Sequence, residues 1–200
     1  MALPTVGQAA LISNELARAV EAKRPESVAV LGCAGGNGLE RLLGGSVRRV
    51  VALDINPDYV ATVEARFRGR IEELEAIVAN VEDHAQVFDP VDFIHAALLL
   101  EYVDLGRALR FMRRHCQPSG TLAVVLQLPS TEIAHITPSP YASLRELEPI
   151  FRFVSPAELG RQAAEAGFHP VGARIVAASG GKSFSLQEFH ASRGDAATAI

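Results

Sequence analysis

A glycine-rich segment and a carboxylate in the first third of the chain have the types and spacing of a nucleotide-like cofactor site. Residues 31–40 have the sequence LGCAGGNGLE and follow a short apolar run, and glycines at such a position let the backbone turn tightly and approach a ligand closely. Asp54 ends the next apolar run, about 20 residues after Gly32, where a carboxylate can accept hydrogen bonds from both ribose hydroxyls. Two plainer interpretations stay open: an ordinary strand-to-helix turn, and an N-cap for a helix that begins at Pro57.

These residues need a sheet edge that brings strand ends together, and the chain has the pattern of one. Short apolar runs, typical of strands buried on both faces, alternate with segments that carry apolar residues at helical spacing. The alternation predicts a mostly parallel sheet with helices on both faces, and the Ser-Gly-Gly turn at 179–181 predicts a closing hairpin. The predicted strands are 27–31, 47–54, 75–80, 91–96, 120–127, 171–177 and 182–190, and the predicted helices are 7–23, 39–43, 57–73, 105–116 and 155–167.

The predicted fold class follows from this order of elements. We expect an α/β fold with a doubly wound, seven-stranded, mostly parallel sheet of strand order 3-2-1-4-5-7-6, in which only the last strand is antiparallel. A chain of 200 residues is long enough to bury a full core, and no repeat or linker divides it. Residues 1–200 are therefore predicted to be one domain.

Composition and charge exclude several classes of function. The formal net charge is −4, which does not favour binding to a nucleic-acid backbone. The two cysteines have no CxxC spacing, so neither a disulfide framework nor a metal site is predicted. The amino-terminal residues lack the features of a signal peptide, and no apolar run is long enough to span a membrane. We expect a cytoplasmic protein with a small-molecule partner, without nucleic-acid or membrane binding.

The order of the motifs resembles that of class I S-adenosylmethionine-dependent methyltransferases, in particular the small "type 11" members. The segment 31–40 resembles the first motif of that family, and VVALDINPDYV at 50–60 resembles the second. Further likenesses are ANVED at 79–83, VDFIHAA at 91–97, QPSGTL at 117–122 and the segment from SPAEL at 155–159 to AGF at 166–168. The resemblance covers about residues 28–190 and implies methyl transfer from S-adenosylmethionine to a small-molecule acceptor.

The resemblance also implies which residues bind the cofactor. The glycine-rich segment would line its methionine part with backbone atoms, Asp54 would hold the ribose, and Ile55 would pack on the adenine. The Asn80 side chain and the Val81 amide would meet the adenine edge, and the carbonyl of Ala96 would lie near the amino group. The complete set is Gly32, Cys33, Ala34, Gly36, Asp54, Ile55, Asn80, Val81 and Ala96.

Three positions depart from the family pattern. Val30 stands where the family usually has an acid that helps to fix the cofactor's amino group, and Asn80 replaces a usual aspartate. Ala34 replaces the second glycine of the first motif, which is a small change if its φ is negative. An amide can still accept a hydrogen bond from the adenine amino group, so Asn80 remains in the predicted site.

Methyl transfer does not require a fixed set of catalytic residues, so the sequence gives little indication of them. A sulfonium methyl group is already activated, so alignment of the nucleophile matters more than an acid or base. The candidate catalytic residues are therefore polar side chains near the predicted ligand edge: Tyr102, His135 and Tyr141. His95, within the fourth strand, is expected to be a structural histidine with satisfied hydrogen bonds.

The long connection 128–154 separates the fifth strand from the next helix. It contains four prolines, and connections of this length inside a compact domain are usually functional. We expect it to cover the methyl end of the cofactor and to form most of the acceptor pocket as a substrate-side lid.

Two other functions stay open. A nicotinamide-dependent oxidoreductase shares the strand, the glycine turn and the distal acid, but the GxGxxG spacing is absent. A catalytically inactive domain that kept the fold and now senses the cofactor or binds a partner is the other alternative, and Val30 favours it.

Overall fold

The computed structural model describes residues 7–129, 148–178 and 181–193. The strands are β1 Ser27–Leu31, β2 Arg49–Asp54, β3 Glu73–Val78, β4 Val91–Ala97, β5 Cys116–Gln127, β6 Phe168–Ala177 and β7 Ser183–Ala191. The α-helices are α1 Gln8–Lys23, α2 Pro57–Phe67, α3 Leu105–Arg114 and α4 Pro156–Glu165, with short 3-10 segments at Leu39–Leu42 and Glu148–Ile150.

All seven strands form one sheet with the order β3-β2-β1-β4-β5-β7-β6. The pairs β1–β2, β1–β4, β2–β3 and β4–β5 are parallel, whereas β7 is antiparallel to both of its neighbours. The predicted strand order and the single antiparallel strand are confirmed.

The sheet carries a hydrophobic core on each face. One core packs α1, α2 and the first 3-10 segment against β1 and β2, with Phe67, Leu39 and Leu16 fully buried. The other packs α3 and α4 against the opposite face, where Phe111 and Leu159 are fully buried. These two layers of helices hold the strand ends in fixed register, as a doubly wound sheet requires.

Several element boundaries differ from the sequence-based expectation. Helix α2 ends at Phe67 instead of residue 73, because Gly69 adopts a left-handed φ of 75° and breaks the helix. Strand β3 then starts at Glu73, whose N–H donates to the Arg48 carbonyl over 3.0 Å, and it stops before Asn80. Strands β5 and β6 begin earlier than predicted, at Cys116 and Phe168.

The topology defines where a ligand can bind. The chain leaves β1 toward β2 on one side and returns from β3 to β4 on the other, so the carboxyl ends of β1 and β4 flank a switch point. Ligands of open α/β sheets bind in the crevice at such a point. None of the helices in the described ranges combines the length and the apolar character that crossing a bilayer requires.

Candidate cofactor site

The glycine-rich loop after β1 is anchored to the end of β2. The Gly32 and Cys33 N–H groups both donate to the Leu53 carbonyl, over 2.8 and 3.0 Å. The backbone then turns back on itself, since the Gly36 N–H donates to the Cys33 carbonyl over 2.9 Å. This anchoring holds the loop at the carboxyl ends of β1 and β2, beside the switch point.

Gly36 cannot be replaced by a larger residue without a clash. Its φ is 83°, and a Cβ atom there would lie 2.8 Å from the ring of Phe67 and 3.2 Å from Val63, both in α2. The absence of a side chain therefore lets the loop pack directly on the helix. The sequence-based expectation gave Gly36 a role at the cofactor, and the structure shows in addition this packing role.

Asp54 links two loops at the carboxyl edge. Its Oδ2 accepts a hydrogen bond from the Ala34 N–H and its Oδ1 accepts one from the Asn56 N–H, each over 2.9 Å. The helix cap is supplied by Asn56, whose side chain accepts from the Asp58 N–H, so the N-cap interpretation of Asp54 is wrong. Each carboxylate oxygen can accept a further hydrogen bond, which leaves Asp54 two vacant acceptor positions.

Ala34 adopts a left-handed backbone. Its φ is 46°, so the condition under which alanine would be a harmless replacement for glycine is not met. A side chain in this conformation costs about 1 kcal/mol or more. The bond from the Ala34 N–H to Asp54 holds the residue in this conformation.

The Cys33 side chain points into the core and not into the crevice. It is buried beside β1 and β2, and its pKa is raised to about 12, first by burial and second by the charge of Asp54. The thiol is therefore not a nucleophile at neutral pH. The Cys33 N–H and carbonyl are both hydrogen-bonded, to the Leu53 carbonyl and the Gly36 N–H, so the contact of Cys33 with a cofactor stays a prediction.

An exposed apolar surface lies beside Asp54. Ile55 is 67% exposed and Val78, at the end of β3, is 53% exposed. Asn80 forms a tight turn in which its Oδ1 accepts from the Glu82 N–H over 2.9 Å, which leaves its amide nitrogen available. The Val81 side chain is buried, and its N–H makes no hydrogen bond to the described part of the chain.

The carbonyl that points toward the switch point belongs to Ala97. The Leu98 N–H donates to Val125 of β5, and alternate residues of a strand hydrogen-bond to the same neighbour, so the Ala96 carbonyl also faces β5. The Ala97 carbonyl faces β1, one residue beyond the last pair, Leu31 with Ala96. The cofactor contact expected of Ala96 stays a prediction, and the Ala97 carbonyl is the one that faces the β1 side of this edge.

Val30 and His95 lie side by side in the middle of the sheet. They are register partners between β1 and β4, and Val30 packs within the core. Neither ring nitrogen of His95 has a hydrogen-bond partner within the ranges that the structure describes, so the expectation of a satisfied histidine is wrong. Burial lowers the pKa of His95 to about 4, which keeps the ring neutral at physiological pH.

The structure describes one of the three candidate catalytic residues. Tyr102 packs edge-on against Phe151 with 5.5 Å between ring centroids. Burial, followed by the charge of Glu101, raises its pKa to about 12, so the phenol is a poor base at neutral pH. His135 and Tyr141 lie outside the described residues.

Two buried charged residues at the same edge escaped the sequence-based interpretation. Glu101 is fully buried beyond β4, and Lys182 is 4% exposed just before β7. Both contact Gln127. The Gln127 N–H donates to Glu101 Oε1 over 2.7 Å, and Gln127 Oε1 accepts from Lys182 Nζ over 3.2 Å. The one signal in the sequence is a glutamate that directly follows the apolar run 96–100.

The opposite edge of the sheet holds a separate cavity of about 600 Å³, where β5 begins and β7 ends. It contains no residue of the glycine-rich loop, and we do not assign it to the cofactor. Its lining residues are Ser119, His169, His190, Ala191, Ser192 and Arg193. No group of three or more potential metal ligands occurs within the part of the chain that the structure describes.

Comparison with known proteins indicates the family. A family model described as a methyltransferase domain matches residues 29–124, from β1 into β5. The match covers just under half of the chain and, together with the shared fold, supports its assignment to the class I methyltransferases. This family uses S-adenosylmethionine, and the matched region contains the glycine-rich loop, Asp54 and the end of β4. A search of the curated proteins finds no significant match.

Solved structures share the methyltransferase fold at low sequence identity. The N-methyltransferase NodS from Bradyrhizobium japonicum, in complex with S-adenosylhomocysteine, is 15% identical with a TM-score of 0.67, over 91% of this chain and 86% of that one. The geranyl diphosphate C-methyltransferase from Streptomyces coelicolor is 16% identical with a TM-score of 0.67, over 89% and 77%. The [4+2]-cyclase SpnF is 14% identical with a TM-score of 0.70, over 90% and 81%.

Proposed function

We propose that this methyltransferase transfers the methyl group of S-adenosylmethionine to a small-molecule acceptor. The observation that carries the proposal is the position of Asp54, which joins the glycine-rich loop to the next loop at the switch point and retains two acceptor positions. A ribose presents two neighbouring hydroxyls that can donate to such a carboxylate. The family match over the same residues supports this assignment.

The remaining residues of the edge fit the other parts of the cofactor. The backbone of the loop at 32–36 suits the methionine part, and the Ala97 carbonyl suits its ammonium group. The exposed Ile55 and Val78 would be covered by an adenine ring, which gives a reason for their exposure. The unused Val81 N–H and the Asn80 amide can bond to the edge of that ring.

The chemistry requires little of the protein beyond placement. The sulfonium of S-adenosylmethionine supplies a methyl group that is already activated for attack. The protein's part is to hold the acceptor in line with that group and to exclude water, which lowers the entropic barrier. A small, mostly apolar acceptor suits this edge, because β5 and β7 present apolar residues beside β4.

We further propose that residues 128–154 close the acceptor pocket. The segment leaves the carboxyl end of β5, and its far end returns to the same edge, where the Arg152 N–H donates to the Glu101 carbonyl over 2.9 Å. Replacing residues 131–146 with a short glycine-serine linker should abolish turnover while the affinity for S-adenosylmethionine stays within about tenfold. Normal methylation by the shortened chain would contradict the proposal.

Calorimetric titration separates this function from oxidoreductase activity. S-adenosylmethionine should bind the wild-type chain, and NADH should not. Turnover is then tested by following transfer of the radiolabelled methyl group to a panel of phenols, amines and thiols. Binding of NADH in preference to S-adenosylmethionine would contradict the proposed function.

A second candidate is a domain that binds the cofactor without transferring its methyl group. Val30 favours it, because the position two residues before the first glycine carries no carboxylate and is packed in the core. The [4+2]-cyclase with the same fold shows that this architecture also supports other functions. Tight binding of S-adenosylmethionine together with no transfer to any member of the acceptor panel would favour this candidate.

A further inference from the structure

Glu101 and Lys182 flank Gln127 at the carboxyl edge of the sheet. Glu101 lies beyond the end of β4 and Lys182 precedes β7, so the two side chains approach the end of β5 from its two neighbouring strands. Methyltransferase-fold sheets bind their ligands at this edge. The pair therefore lies beside the proposed cofactor site, on its β5 side.

Glu101 keeps one carboxylate oxygen unused. Its Oε1 accepts from the Gln127 N–H over 2.7 Å and its backbone carbonyl accepts from the Arg152 N–H over 2.9 Å. Its Oε2 is buried and has no hydrogen-bond partner among the residues that the structure describes. A buried polar atom without a partner is costly, so its retention indicates a partner that arrives with a ligand.

The surroundings of Glu101 prepare it to exchange a proton near neutral pH. Burial raises its pKa to about 7, against the opposing effects of the Gln127 N–H, its own backbone N–H and the Arg152 charge. The neighbouring Tyr102 is a neutral phenol whose pKa the Glu101 charge helps to raise, and Lys182 lies on the other side of Gln127. Burial also lowers the pKa of Lys182. A proton acceptor is most effective when its pKa is close to the working pH.

The wall next to these two groups is apolar. A small cluster of buried residues joins β5 and β7 at this edge, and the end of β4 packs against it. The buried members are Val125, Ala178, Phe184 and Leu186. An acceptor that binds against this apolar cluster and the two polar groups would be flat and weakly polar.

We propose that the methyl acceptor is a weakly acidic hydroxyl compound, a phenol or an enol, whose hydroxyl donates to Glu101 Oε2 and whose oxygen is stabilised by the Lys182 amine. This inference rests on the proposed function. A cationic amine would be repelled by Lys182 and a carboxylate by Glu101, whereas a neutral hydroxyl that becomes an oxyanion is complementary to both.

The transfer balances without any further reactant. The hydroxyl proton moves to Glu101 Oε2 as the acceptor oxygen forms its bond to the methyl carbon. The bond between that carbon and sulfur breaks, and its electron pair stays on sulfur, which becomes a neutral thioether. The products are an aryl or enol methyl ether and a protonated Glu101, which then loses its proton to solvent.

Binding of 4-methylphenol tests this assignment without turnover, because an ordinary phenol, with a pKa of about 10, keeps its proton over the whole range of the measurement. The chain is saturated with S-adenosylhomocysteine, and the dissociation constant is measured from pH 6 to pH 9 for the wild type, Glu101→Gln and Lys182→Met. Glu165→Gln and Lys23→Met serve as controls, since both residues lie away from this edge. We expect the wild type to bind with a pH dependence that breaks near pH 7.

Glu101→Gln should lose that break and bind about tenfold or more weakly at pH 8, and Lys182→Met should also weaken binding by about tenfold, with both controls unchanged. Glutamine can still accept from the Gln127 N–H, and retained affinity for S-adenosylhomocysteine shows that a variant is folded. Should Glu101→Gln not fold, Lys182→Met decides the test. No binding of 4-methylphenol, or unaltered binding by the folded site variants, overturns this assignment, whereas no binding of S-adenosylhomocysteine contradicts the proposed function.

Discussion

The two halves of the ligand edge differ in how far the hydrogen bonds of their carboxylates are satisfied. On the β1–β2 side, the Asp54 carboxylate accepts two backbone N–H groups and thereby fixes the loops that surround it. On the β4–β5 side, Glu101 keeps a buried oxygen without a partner within the described residues. A site for a fixed cofactor can be built from a carboxylate that backbone N–H groups hold in place, whereas a site that exchanges protons with an acceptor needs groups held in an unsatisfied state.

The largest expected effect on stability concerns the glycine-rich loop on the β1–β2 side. Gly36→Ala should lower the free energy of unfolding by about 2–5 kcal/mol, because the new Cβ meets Phe67 at 2.8 Å and the backbone is left-handed. Gly44→Ala is the matched control: its φ is 73° but no atom lies within 4 Å, so only about 1 kcal/mol is expected. Urea unfolding measures both, and equal losses would show that the loop does not pack on α2 as described.

The buried Glu101 carboxyl on the β4–β5 side should change how the free energy of unfolding depends on pH. The pKa of Glu101 is higher in the folded chain, about 7 against 4.5, so the folded state binds more protons between these values. The wild type should therefore lose up to about 3 kcal/mol of unfolding free energy relative to Glu101→Gln as the pH rises from 4.5 to 7. His95 titrates in both chains and cancels in the difference. Parallel stability curves would contradict the burial of this carboxyl.

Asp54 should affect binding more than Glu101 does. Asp54→Ala removes two loop hydrogen bonds and the proposed ribose contacts, so the affinity for S-adenosylhomocysteine should fall by about 1–3 kcal/mol. Asp58→Ala, an exposed aspartate in the first turn of α2, and Glu101→Gln should leave that affinity nearly unchanged. Calorimetry on the three variants gives the comparison, and an unchanged dissociation constant for Asp54→Ala would remove the ribose role.

The smallest effect is expected at Ala34. Ala34→Gly relieves the left-handed strain at φ 46° but adds freedom to the unfolded chain, so the unfolding free energy should rise by about 0–1 kcal/mol. Ala65→Gly, on the exposed side of α2, should instead lower it by about 0.5–1 kcal/mol. Thermal unfolding distinguishes the two signs. A loss at Ala34 as large as at Ala65 would show that the alanine carries no strain.

The same contrast explains how far the sequence could predict this molecule. The strand order and the position of Asp54 follow from local patterns, because an apolar run ending in an acid after a glycine turn fixes a place at the sheet edge. Glu101 could not be predicted in this way, since its burial depends on Gln127 and Arg152, which are distant in sequence. The end of α2 was missed because its apolar pattern continues past Gly69, where the backbone turns left-handed.

The central claim is tested most directly by a crystal structure of the chain with S-adenosylhomocysteine. The account predicts both ribose hydroxyls within about 2.6–3.2 Å of the Asp54 carboxylate, with the adenine against Ile55 and its edge at the Val81 N–H. The amino group of the ligand should face the Ala97 carbonyl. A ligand bound elsewhere, for example in the cavity beside Ser119 and His190, or a ribose out of reach of Asp54, would contradict the account.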